Sequence, residues 1–140
     1  MYTKKEDIYA LIPQNMVQEA LTDKNGTFTE DEVFAELQET IADEIHWRIS
    51  PKVKVPFLSE IPAIIKRAAL IFSCEAIFER RKVAPKDNPF FEKAEHLREK
   101  LDAIGSGKAP ISVGLSKSKS SVVIISKPAK TTSSTGRLSQ

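Results

Sequence analysis

Cysteine and long apolar runs are both scarce in this chain, and each shortage excludes something. The one cysteine, Cys74, rules out an internal disulfide framework. It lies inside an apolar helical run, where a free thiol is usually a small core residue. The start, MYTKKEDIYALIP, has no uninterrupted apolar stretch of the secretory kind. The most apolar stretch, Ile61 to Phe72, is broken by Lys66 and Arg67 and is too short to span a bilayer. These absences predict a soluble protein made in the cytoplasm, with no membrane partner.

Chemistry-bearing patterns are equally thin. The two histidines, His46 and His96, lie in no H-E-x-x-H pattern and near no cysteine pair, and both read as structural. Glu92 and His96, four apart, are placed to pair on a helix surface. Cys74 has no base beside it in sequence and nothing local to lower its pKa. Gly105-Ser106-Gly107-Lys108 resembles a phosphate-binding loop only on the surface. Asp102 stands where the first glycine belongs, Ala109 replaces the metal-holding Ser/Thr, and the stretch follows a helix. The carboxylates Glu36, Glu39, Asp43 and Glu44 recur at helical spacing and read as a solvated face. The expectation is no catalytic residue, no metal, no cofactor, and a structural protein in place of an enzyme.

What is present is a helical chain of 140 residues, 41% apolar and 29% charged, a globular balance at the size of one domain. Its net charge of +2 hides a polarity. Residues 1–102 carry 15 Lys/Arg against 19 Asp/Glu, whereas residues 103–140 carry six basic residues and no acidic one. An acidic body thus bears a basic tail.

Helix signals follow one another through the body. Thr3 and Glu6 have capping-box spacing for a short helix over about Lys4 to Leu11. Pro13 suits the first turn of a second helix carrying Met16, Val17, Ala20 and Leu21. Asp23-Lys24-Asn25-Gly26 is turn chemistry. Thr29 and Glu32 form a second capping box, and Phe34, Leu37, Ile41 and Ile45 give the stripe of an amphipathic helix running to about Arg48. Ser50 to Leu58, with two prolines, reads as extended. Ser59 can cap a helix over Glu60 to Lys82, apolar around much of its circumference and so central and buried. Asp87-Asn88-Pro89 opens a last helix whose seam is Phe90, Ala94, Leu97, Leu101 and Ile104, ended by Gly105. The fold expected is all-α, a small bundle of about five helices over residues 1–105.

Residues 106–140 change composition. Ten Ser, three Thr and no carboxylate between 105 and 140 make a poor core-forming mixture, so this part reads as an extended basic tail. Within it Val122, Val123, Ile124 and Ile125 form a short β-prone run, suited either to folding back on the body or to pairing with a neighbouring subunit. The tail's six positive charges would attract nucleic acid without sequence preference, although no aromatic residue is there to stack on bases. A helical nucleic-acid-binding or regulatory protein is therefore the competing reading.

Several stretches in order resemble the Mu-like head–tail joining proteins, a family of head–tail connectors of tailed bacteriophages. They are Tyr2-Thr3, Asp7-Ile8, Leu21-Thr22-Asp23, Glu44-Ile45, Lys52, Val55-Pro56, Ile61-Pro62-Ala63-Ile64-Ile65-Lys66-Arg67-Ala68, Arg80-Arg81, Ala94, Leu97, Leu101-Asp102-Ala103-Ile104 and Gly107-Lys108. The resemblance covers about residues 2–112. Glu75 stands where the family often has tyrosine, and Lys52-Val53 where it has an R-Y pair. The resemblance implies a virion protein at the head–tail interface that forms a homo-oligomeric ring, commonly of twelve copies. Such a ring bridges the portal protein and the next tail component, or stopper, and DNA passes through it without specific binding. The interface residues expected are Lys52, Lys54, Val55 and Phe57 in the loop, and Val122 to Ile125 in the tail.

Overall fold

Two apolar clusters, one at each end of a long helix pair, organise the chain. The computed structural model describes residues 1–57 and 60–111. Five α-helices follow in order: α1 (Lys5–Tyr9), α2 (Gln14–Leu21), α3 (Glu30–Ile49), α4 (Ala63–Arg80) and α5 (Phe91–Gly105). A 3-10 turn, Pro85–Asp87, precedes α5, and no strand occurs among the described residues. The all-α reading holds for these residues.

The second capping box forms as its spacing predicts. Glu32 N–H donates to Thr29 Oγ1 at 3.1 Å, and Thr29 N–H donates to Glu32 Oε1 at 2.8 Å. The first one shifts by a residue. Lys4 N–H donates to Asp7, and the Thr3 hydroxyl is buried with no hydrogen-bond partner among the described residues. In the turn before α3, Asp23 accepts from the N–H groups of Asn25, Thr27 and Phe28, while Gly26 takes φ +71°. Those hydrogen bonds hold the Asp23 carboxyl below its usual range.

α4 starts later than expected, at Ala63 with Pro62 as its cap, because the residue before a proline is held out of helical backbone. Ser59, the expected cap, lies outside the described residues. α4 is the central helix, and its buried face includes Ile65, Ala68, Ala69, Ile71, Phe72 and Ile77. α3 runs antiparallel to it. Ile41, Ile45 and Ile49 of α3 meet Ile65, Ala68 and Phe72, while Val33 and Phe34 meet Cys74 and Ile77 beneath α1 and α2. α5 lays Ala94, Leu97, Leu101 and Ile104 into the first cluster.

Both ends of the α4–α5 pair are closed by the same backbone device. After α4, Lys82 N–H bonds Glu79 C=O and Val83 N–H bonds Phe78 C=O, with Lys82 at φ +65°. After α5, Gly107 N–H bonds Ile104 C=O and Lys108 N–H bonds Ala103 C=O, with Gly107 at φ +83°. Gly105 is therefore the last helical residue, and Gly107 is the glycine that turns the chain. The phosphate-loop resemblance at this stretch is a helix-closing turn.

Candidate interaction surface

Polar residues missed by the periodicity hold the inside of the bundle. Arg98 on α5 donates to Glu75 on α4 from Nη2 to Oε1 at 2.6 Å, and to Glu44 on α3 from Nε at 2.8 Å. It also reaches Glu95 on its own helix, and its guanidinium lies 4.7 Å over the Phe72 ring. Burial opposes its charge, but the hydrogen bonds it donates to Glu75 and Glu44 push the Arg98 pKa above its ordinary value. Glu44 accepts from Arg48 as well, so it leaves the solvated face on which its spacing alone places it. Gln38 and Ser73 form a second buried pair at 2.8 Å between α3 and α4.

These groups bind one another and leave little to offer a substrate. The Cys74 thiol is buried, and burial pushes its pKa up to about 12, far from a working nucleophile. His46 shares a 2.6 Å hydrogen bond with the Tyr2 hydroxyl, and burial lowers its pKa. His96 is exposed and faces Glu99 at 3.9 Å, so the Glu92 pairing that spacing suggested is not made. No cluster of His, Cys, Asp or Glu among the described residues has the arrangement of a metal site. No helix among them is long and apolar enough to cross a membrane.

The surface is where this structure has unspent capacity. In the loop after α3, Lys52 and Lys54 are exposed, whereas Val53, Val55 and Phe57 are half-buried against the α3–α4–α5 cluster. Phe57 meets the Tyr2 ring edge-on, with centroids 6.4 Å apart. The four loop residues singled out from sequence therefore divide: two lysines point to solvent, and Val55 and Phe57 serve chiefly to seat the loop. Val122, Val123, Ile124 and Ile125 lie outside the described residues.

A second surface escaped the sequence reading. Trp47, the chain's single tryptophan, is 74% exposed on the outer side of α3. Glu32, Glu36, Glu39 and Asp43, all exposed, precede it at intervals of four, three, four and four, so the five share one helix face. Met1 leans on the flank of this face beside Ala35, Gln38 and Ala42, and the hollow between them measures about 520 Å³. The signal was legible: a large aromatic in register with acidic residues, opposite the apolar stripe.

The chain matches no protein-family model, and no curated protein matches it.

Proposed function

We propose that this protein is a structural head–tail connector subunit of a tailed phage or prophage, acting by binding other protein subunits in a ring between the portal and the next tail component. The observation that carries the reading is the order of elements from α1 to α5. A short helical pair, a 20-residue amphipathic helix, a proline-bearing loop, a proline-capped central helix and a final helix closed by a glycine turn follow in the sequence of the resemblance. A mostly self-satisfied polar interior beside an exposed tryptophan and two loop lysines suits binding better than turnover.

In this reading the loop presents Lys52 and Lys54 to a neighbouring subunit, seated by Val55 and Phe57, and the tail run Val122 to Ile125 pairs with a portal or adjacent copy. The net-negative body lets DNA pass along the channel without gripping it. The tail's unopposed positive charge supports one other reading, a small nucleic-acid-binding or regulatory protein.

The test is capture of partners on the immobilised full-length chain from lysate of the source phage or lysogen, before and after nuclease treatment, with mass spectrometric identification. Recovery of portal and tail proteins is expected. Recovery of nucleic acid alone, before nuclease treatment and lost after it, overturns the connector reading.

A further inference from the structure

Apart from Met1 on its flank, the outer face of α3 has no partner among the described residues. Its inner side is spent on α4 and α5. No lysine or arginine of the described residues makes an ion pair with Glu36, Glu39 or Asp43, although Lys5 pairs with Glu30 and Asp31 at the start of the helix. The face is about 30 Å long for the 20 residues of α3, and it ends on Trp47.

The path of the chain brings a complementary segment to that end. Gly105 packs its α-carbon on the Arg48 carbonyl, Gly107 lies against the Lys52 side chain, and Ala109 and Ile111 pack on the α3–α4–α5 cluster. Residues 105–107 therefore lie against the C-terminal end of α3, and the described chain ends four residues later at Ile111. Residues 112–140 then carry Lys117, Lys119, Lys127, Lys130 and Arg137 and no acidic residue. Lys117 is six residues past Ile111, a reach of about 20 Å when extended, and the whole segment can extend about 95 Å, so α3 is well within range.

We propose that residues 112–140 dock along the outer face of α3 of the same molecule, with Lys117 and Lys119 at Trp47 and Asp43 and the later lysines along Glu39, Glu36 and Glu32. A lysine over the indole gains cation–π attraction, and the carboxylates draw the remaining charges. The tether favours the chain's own segment over that of a second copy, because an intramolecular partner is present at an effective concentration of about millimolar. The attraction is between exposed charges and so weakens with salt. This inference stands apart from the connector reading, since it concerns the free subunit.

Trp47, as the only tryptophan, reports on it directly. Quenching of its fluorescence by acrylamide, a neutral quencher, is measured on the full-length chain at about 20 mM and about 500 mM salt. The quenching constant should rise at least about twofold at high salt, when the screened segment leaves the indole. It should be equally high at low salt in K117Q/K119Q/K127Q/K130Q, and also in E36Q/E39Q/D43Q, with helical circular dichroism unchanged in both. These values should not vary as the protein is diluted. Equal quenching in the parent chain and both variants at low salt would overturn the docking. Loss of protection on dilution would give the face to the segment of a second copy and overturn the intramolecular assignment.

Discussion

Arg98 grips Glu75 with a fork of two hydrogen bonds, Nη2 to Oε1 at 2.6 Å and Nη1 to Oε2 at 3.2 Å. The Glu75 side chain is only 4% exposed, so the pair sits at the junction of α4 and α5 with Glu44 of α3 joining from the third helix. Removing one partner leaves a buried charge uncompensated. Arg98→Met should therefore lower stability by about 3–5 kcal/mol in denaturant unfolding. Adding Glu75→Leu to that variant should recover much of the loss, since two apolar side chains then replace the pair. A double variant less stable than the sum of its parts would show that the network contributes more than charge compensation.

Gly105 tests the α3–α5 crossing. A Cβ there would stand 1.9 Å from the Arg48 carbonyl oxygen, a backbone atom that cannot move without α3. Gly105→Ala should cost about 3 kcal/mol or more through forced separation of the two helices, despite alanine's better helix propensity. An unchanged melting temperature would mean that the helices cross at a larger distance.

Lys82 tests the opposite sign of change. It occupies the left-handed position of the turn closing α4, at φ +65°, where the other closing turn uses Gly107. Lys82→Gly should stabilise the fold by about 1 kcal/mol by removing the Cβ strain, and the same change at the helical Lys100 should destabilise it by a similar amount.

Glu79 carries a pH dependence. Burial and then repulsion from Glu75 raise its carboxyl pKa. The folded state thus holds the proton more tightly than the unfolded chain, and ionised Glu79 opposes folding at neutral pH. Glu79→Gln should be slightly stabilising at pH 7, by about 0.5 kcal/mol for so exposed a group. That advantage should vanish as the pH falls below the ordinary glutamate range, where both states bind the proton. A constant difference across the titration would assign the effect to something other than charge.

Val123→Asp with Ile124→Asp tests the tail's part in assembly. The pair should abolish capture of portal and tail proteins while the melting temperature stays within about 1 °C of the parent, as for substitutions outside a core. A large thermal loss would place these residues in the core of the fold instead.

Much of the helical body was legible because its signals are local. Thr29 and Glu32 cap α3 by their spacing alone, and the stripe Phe34, Ile41 and Ile45 is buried as its period requires. What was illegible depends on contacts across the chain. Glu75 reads as polar in an apolar helix until Arg98, 23 residues away, is placed over it, and Gln38 is explained only by Ser73. The same holds for Glu44, whose spacing suits a solvated face but whose angle on α3 aims it at α5. Arg80 and Arg81, at the end of α4, likewise act across the chain. Arg80 donates to the Ala20 carbonyl at 2.7 Å, and Arg81 reaches Glu19, so both fasten α2. Of the candidate surface, the loop was found but not the inward turn of Val55 and Phe57, which depends on Tyr2 and the core cluster. Trp47 could have been found from its register with Glu36, Glu39 and Asp43.

The central proposal, a ring-forming connector subunit, is tested most directly by mixing the purified full-length chain with a portal oligomer of a tailed phage or prophage from the same source and imaging the product by electron microscopy. The account predicts an added ring of density on the portal with a multiple of this chain's 15.6 kDa mass. Unaltered portals at saturating chain, together with DNA binding by the chain that falls steeply with salt, would contradict it.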